Sequence, residues 1–452
     1  MLIQNVEVDQ VCVDVRICGD KIIALTGQLE PQANETLING RGCALLPGLH
    51  DHHIHLNASA AALNSLQCGP PEIYSAQQLI IALHSFKGDG WVRGIGYHAS
   101  VAGEINRQWL DKHGPDRPIR IQHRGGRMWI FNSQAMALLN INIPDDGRLI
   151  DGDEAVRIAL GGARPDLKPL INKLHSFGIT GVTEVTPNNN LIDLEYYVAA
   201  AQPLNLCIMG SADLHDLSSE HSRFIGPLKI HNHDHDLPSL YKLTADIAGA
   251  HAHGRAVAIH CVTRAELMLS LAAIEDAGPH PGDRIEHAAL ADEAAIAWIA
   301  RLGLTVVTQP HFVAERAEAY LHEVEPDDQR HLWPLKSFAD AGIKLAAGSD
   351  APFGNLNPWA AMASAVARPT LLGATEVIPP EAALELYTKP ANDAGGKPRK
   401  ITIGVKADLC LLDRTWSEAR KNLSATNVVA TWVGGELVYD IISSTKPHCK
   451  AV

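Results

Sequence analysis

The chain has no CxxC pair, and its eight cysteines are scattered. They read as reduced thiols of a cytosolic protein. No stretch reaches the roughly 18 consecutive apolar residues that suggest a membrane-spanning helix. The first residues, MLIQNVEVDQ, lack the basic start and apolar core of a secretory signal. A cytoplasmic location with no membrane partner is therefore expected. Basic residues are in the minority, 38 Lys and Arg against 51 Asp and Glu, and the formal net charge is −13. Nucleic acid is not an expected partner, because phosphate affinity wants a basic face. Neither a GxGxxG nor a Walker loop is present to mark a nucleotide-binding, doubly wound sheet.

What remains is an ordinary soluble composition, 46% hydrophobic and 20% charged over 452 residues. That length is too great for one small core and implies a large domain with an accessory one. Both ends read as short strands. VCVDVRI and KIIAL flank CGD, a hairpin signal; ADLCLLD and NVVATWVGGELVY, with a turn at Gly435, stand near the other end. The expectation is one small β-sandwich built from residues 1–46 and 386–452. Between them, PLINKLHSFGITGVTEV, IAWIARLGLTVVTQP and LKSFADAGIKLAAGSD repeat one pattern. Each has an apolar helical face, then Gly178, Gly303 or Gly342 as a left-handed cap, then a β-branched run. Helix, glycine and strand in this order imply parallel strands joined by helices. Over 300 residues of it fit an α/β fold of the (β/α)8 TIM-type barrel, set at residues 47–385. Reactive groups in such barrels sit at the C-terminal ends of strands.

Histidine is abundant, at 23 residues, and LLPGLHDHHIHL (45–56) holds four of them. In a strand, His53 and His55 share one face while His50 and His52 share the other. Two imidazoles on one face can hold a divalent ion. Three later apolar runs also end in metal-competent or proton-transfer residues: RAVAIHCV in His260, GDRIEHAAL in His287 and KLAAGSDAP in Asp350. Each alone reads as a turn or cap residue. Imidazole with carboxylate suits zinc, manganese or iron.

PGLHDHHIH, IHCV, RIEH and GSDAP, in this order and spacing, resemble the first, fifth, sixth and eighth strand motifs of the amidohydrolase superfamily. The likeness spans essentially the whole chain. WVRGIGY, FNSQAMALL, TQPHF and ADLCLLD are similar to signatures of its formamide-deformylase-like branch. The resemblance implies a metal-dependent hydrolase of carbon–nitrogen bonds in a small molecule, with zinc first and manganese or iron also fitting, as one or two ions. His53, His55 and Asp350 would hold one ion, and His260 and His287 a second. A fourth-strand group would bridge them, either carboxylated Lys229 or Glu184. Asp350 would act as general base and then acid, and Asp51 would orient the site from outside the ligand set. HNHDHD (231–236) reads as a polar loop rather than as ligands. A homodimer is the family-based expectation.

Alternatives share the fold. A deaminase would carry a glutamate three residues after His260, where Thr263 stands. Ester or lactone hydrolysis uses the same centre, and a metal-free scaffold protein should lack the ligands. For substrate contact the candidates are Tyr97, His98, Arg127 and His311. Arg127 stands where the branch often has histidine, either to bind an acidic group or as a structural arginine. Trp359 reads better as a helix-packing residue.

Overall fold

The computed structural model describes residues 1–441 apart from 71, 89, 163 and 216–218. Eight parallel strands form one sheet: β1 (Leu49–Ile54), β2 (Ile179–Glu184), β3 (Asn205–Gly210), β4 (Ile225–Ile230), β5 (Val257–Cys261), β6 (Arg284–His287), β7 (Thr305–Thr308) and β8 (Lys344–Ala347). They neighbour one another in chain order. The two ends of the sheet meet just past β8, where Asp350 N–H donates to the His53 carbonyl (2.7 Å) and His55 N–H to the Ala351 carbonyl (3.0 Å). The result is a nearly closed TIM-type barrel. Every residue of β1, β2, β6 and β7 is buried, as in parallel sheets covered on both faces.

Three helices precede β2, β7 and β8 as the pattern predicts: Lys168–Ser176, Glu293–Leu302 and Leu335–Asp340. They are followed by Gly178, Gly303 and Gly342 at φ +83°, +70° and +71°. Two other glycines make room for β1. A Cβ on Gly181 would come within 2.6 Å of His50 Nδ1, and one on Gly348 within 2.4 Å of the His53 nitrogen. Only glycine lets β2 and the end of β8 approach this histidine-rich strand so closely.

Strands from both termini form two four-stranded sheets. One holds Leu2–Val8, Val11–Cys18, Lys21–Thr26 and Leu37–Asn39; the other holds Leu45–Pro47, Leu409–Leu412, Val428–Val433 and Glu436–Asp440. Ile3, Val15, Leu45, Leu409 and Trp432 are buried in one cluster shared by the two. The Val11–Cys18 hairpin turns at Gly19, and Gly435 turns the last pair, both at positive φ.

The chain packs as two compact units, residues 1–55 with 171–452, and residues 56–170. The sequence pattern does not distinguish the second unit from the barrel. It has its own five-stranded sheet, which includes Val92–Tyr97, Ile119–His123 and Met128–Phe131. Its core includes Leu79, Leu83, Ile119 and Ile121.

Candidate metal centre

His53 is on β1, His55 follows it, and Asp350 lies three residues past the end of β8. One ligand atom from each can be chosen so that all three lie within 4.8 Å of one another. Asp350 Oδ1 is 3.4 Å from His53 Nε2 and 3.6 Å from His55 Nε2. Asp350 has φ +51° and His287 φ +70°, conformations that cost a non-glycine residue energy and persist only where surrounding bonds enforce them. At Asp350 those bonds are its N–H to His53 and the Ala351 N–H to Ser349 Oγ (3.0 Å). Asp51 reinforces the same corner, its Oδ1 accepting from the N–H groups of His53 (3.0 Å) and Ser349 (2.9 Å). Burial pushes the Asp51 carboxyl up to about 6.

The nitrogens turned toward Asp350 are set by what binds the other side of each ring. His53 Nδ1 bonds Glu286 Oε2, and His55 Nδ1 faces Thr186 Oγ1 at 3.2 Å. On β6, His287 Nδ1 pairs with Gln309 Oε1 at 2.7 Å, which leaves its Nε2 as the lone-pair nitrogen. The His287 ring centroid is 4.7 Å from that of His53 and 4.7 Å from that of His260. Burial depresses the His287 pKa to about 3 and that of His260 well below its ordinary value, so both are neutral donors near pH 7. Burial and the Lys229 amine oppose charge on His53, but the Glu286 and Asp350 carboxylates outweigh them and raise its pKa. Burial likewise opposes ionisation of Asp350, yet bonds to His53 and His55 hold it well below the carboxylate range.

Lys229, on β4, is 6% exposed, and its Nζ has no hydrogen-bond partner among the described residues. Burial lowers its pKa, with Glu286 and Asp350 pulling the other way. A buried, unpartnered amine beside a group of imidazoles is the kind of orphan that a missing ligand explains. Glu184 does not share its place. It ends β2, not the fourth strand, and its Oε1 accepts from Thr186 N–H (2.9 Å) and Asn189 Nδ2 (3.4 Å).

These donors fit a divalent metal: neutral imidazole nitrogens, a carboxylate and an amine without a partner, all at the C-terminal mouth of a barrel. A model of the amidohydrolase family matches residues 36–439. The chain belongs to the amidohydrolase family. It is a hydrolase acting on carbon–nitrogen bonds other than peptide bonds. The N-substituted formamide deformylase of Arthrobacter pascens is 25% identical, covering 94% of this chain and 95% of its own. The putative amidohydrolase YtcJ of Bacillus subtilis (strain 168) is 24% identical over 93% and 95%. An uncharacterized metal-dependent hydrolase from Pyrococcus horikoshii OT3 superposes with a TM-score of 0.70 at 18% identity, over 91% of this chain and 97% of that one. Atrazine chlorohydrolase TrzN from Arthrobacter aurescens TC1, complexed with zinc, does so at 0.56 and 15%, over 97% and 95%.

Within this amidohydrolase the other candidate residues have definite partners. Tyr97, His98 and Arg127 belong to the 56–170 unit rather than to the barrel. Tyr97 donates its hydroxyl to the Gly103 carbonyl (2.6 Å). His98 caps the short helix Ala99–Ala102, and both arms of the Arg127 fork go to Asp151. His311 is buried three residues past β7, with its Nε2 on the Ser349 carbonyl (3.1 Å), so it braces the turn that carries Asp350. Trp359 is buried, its indole N–H donating to the Phe177 carbonyl. His50 pairs with Thr183 Oγ1 at 3.0 Å, and the His50 and His52 rings lie 4.4 Å apart.

Sequence reasoning passed over Glu286, Arg284 and Gln309. A signal for the first two was present. RIEH places opposite charges two apart in a buried strand, where they must face each other or a third partner. Gln309 carried no such mark.

Proposed function

We propose that this amidohydrolase hydrolyses the amide bond of a small non-peptide substrate, an N-substituted formamide or a related N-acyl or cyclic amide. The observation that carries the reading is the convergence of His53, His55 and Asp350 on one point between the joined ends of the barrel sheet. The formamide deformylase relative supports the substrate class. The two terminal sheets are read as the small sandwich domain of the family.

His53, His55 and Asp350 would hold one divalent ion, zinc first, and His260 and His287 a second. Lys229 would join the two as a carbamate, which its unpartnered amine can form with carbon dioxide. A bound divalent cation supplies Lewis acidity, acidifying water and polarising a carbonyl. Asp350 takes the proton of the attacking water and delivers it to the leaving nitrogen, which as an amide anion would otherwise be a very poor leaving group. The Nε2 atoms of His53 and His55 lie 3.4 and 3.6 Å from that carboxylate, close enough to share one ion with it, and Asp51 fixes the backbone beneath it.

Deamination is less favoured. Thr263 is the N-cap of helix Arg264–Ala277, and the nearest glutamate along the chain, Glu266, is spent on the N–H groups of Val262 and Thr263. No acid stands three residues after His260 to protonate a ring nitrogen.

The test is metal analysis of the purified protein, with hydrolysis of a panel of N-substituted formamides and simple amides before and after chelation. One or two equivalents of metal and metal-restored turnover are expected. Full activity in metal-free protein, or a protein that takes up no metal, would overturn the reading.

A further inference from the structure

Glu286 is 0% exposed, on the inner side of a barrel strand, with both oxygens occupied. Oε1 accepts from Arg284 Nε at 2.5 Å, and Oε2 bonds His53 Nδ1. Arg284 is itself buried and anchored by Nη2 on the His52 carbonyl at 3.1 Å. A continuous line thus runs from the backbone of β1 through Arg284 and Glu286 back to the ring of His53.

A neutral imidazole has one N–H and one lone pair, and whichever nitrogen donates leaves the other to ligate. A carboxylate can only accept. Glu286 therefore requires the proton of His53 to sit on Nδ1, so that the lone pair is on Nε2, the atom 3.4 Å from Asp350. The other two candidate ligands with an Nδ1 partner meet weaker acceptors, a hydroxyl for His55 and an amide for His287. Of the three, only His53 is held by a group carrying full charge, and an anionic acceptor also makes the imidazole a better donor to a cation.

We propose that Glu286, oriented by Arg284, is a positioning residue that fixes the tautomer and direction of His53 for metal binding. This deepens the proposed function and rests on its metal centre. The competing account is a salt bridge that merely fills the barrel interior.

The test uses Glu286→Gln, which keeps volume and shape but removes the charge and allows the amide to donate. Zinc and cobalt affinities are measured by competition with a chromogenic chelator, alongside the visible spectrum of the cobalt form and the melting temperature of the metal-free protein. A loss of about 10–100-fold in metal affinity is expected, with a changed cobalt spectrum. A variant that melts lower yet binds metal within twofold of wild type would overturn the proposal and leave the salt bridge as structural.

Should Glu286→Gln fail to fold, the wild-type protein still decides. Ring-nitrogen NMR of metal-free protein at a pH where the ring is neutral, assigned with His53→Gln, should find His53 protonated on Nδ1 alone; a neutral ring protonated on Nε2 overturns the proposal. A wild-type chain that binds no metal would sink the proposed function and this inference together. A wild-type chain that binds metal, beside a variant that binds it equally well, sinks the inference alone.

Discussion

Two pairs of histidines occupy one short stretch of β1 and its exit, and they do opposite things. His53 and His55 turn toward Asp350, and each has its Nδ1 against another side chain. His50 and His52 turn the other way and pack ring to ring. His50 finds Thr183, while neither ring nitrogen of His52 has a partner among the described residues. His50, His52 and His53 lie on β1, which pairs with β2, and all three are almost wholly buried. Burial therefore does not distinguish a ligand from a packing residue here. The difference lies in what the second nitrogen faces: on His53 and His55 it faces the Asp350 carboxylate, whereas His50, though bound to Thr183, packs its ring on His52.

The comparison breaks most visibly at Asp350, where the ligand face ends. Asp350→Asn should cut kcat by about 10²–10⁴-fold, the usual worth of a positioned acid–base group, with the fold intact by circular dichroism. Retained turnover would remove Asp350 from proton transfer. Next, His53→Ala should weaken metal binding by more than the ~10–100-fold typical of losing an outer partner. His52→Leu, one residue away, should leave metal content and turnover within twofold. Its stability to urea should hold or rise, by up to ~1–3 kcal/mol, because an apolar side chain replaces buried nitrogens that lack hydrogen bonds. His50→Leu should lose a similar amount, since it strands Thr183 Oγ1. If His52→Leu abolished activity, the division of β1 into two faces would be wrong.

That division was legible in the sequence because it needs only the period of a strand. So were the three glycine caps and the succession of His260, His287 and Asp350 at the barrel mouth, since each is local. What the sequence concealed depends on partners far along the chain. Glu286 meets His53 across 233 residues, and Gln309 meets His287 across 22. Glu184 is the second choice after Lys229 in the sequence because it also ends a strand, and position along the chain does not say which strand is fourth. Residues 56–170 contain the same strands and helices as a barrel repeat would. Only pairing, Val92–Tyr97 beside Ile119–His123 instead of beside β1, separates them. Tyr97 ends one of these strands, His98 follows it, and Arg127 precedes another.

The smallest effect concerns the sign of acid sensitivity. His175 is a third packing histidine, 2% exposed, and burial lowers its pKa to about 4. Unfolded, it takes up a proton near pH 6.5. The folded chain resists that proton, so the stability His175 allows is complete above about pH 6.5 and is lost as pH falls toward about 4. The slope is at most about 1.4 kcal/mol per pH unit. His53 has the opposite sign. Its folded pKa is raised, so any stability it adds is present in acid and is lost as pH rises through that value. Urea titrations of metal-free protein between pH 7 and 5 separate the two classes. His175→Gln should flatten the loss of stability over that range by about 1–2 kcal/mol, whereas His53→Gln should steepen it or leave it unchanged. Equal slopes for wild type and His175→Gln would show that its imidazole meets water, and that its burial does not set its charge.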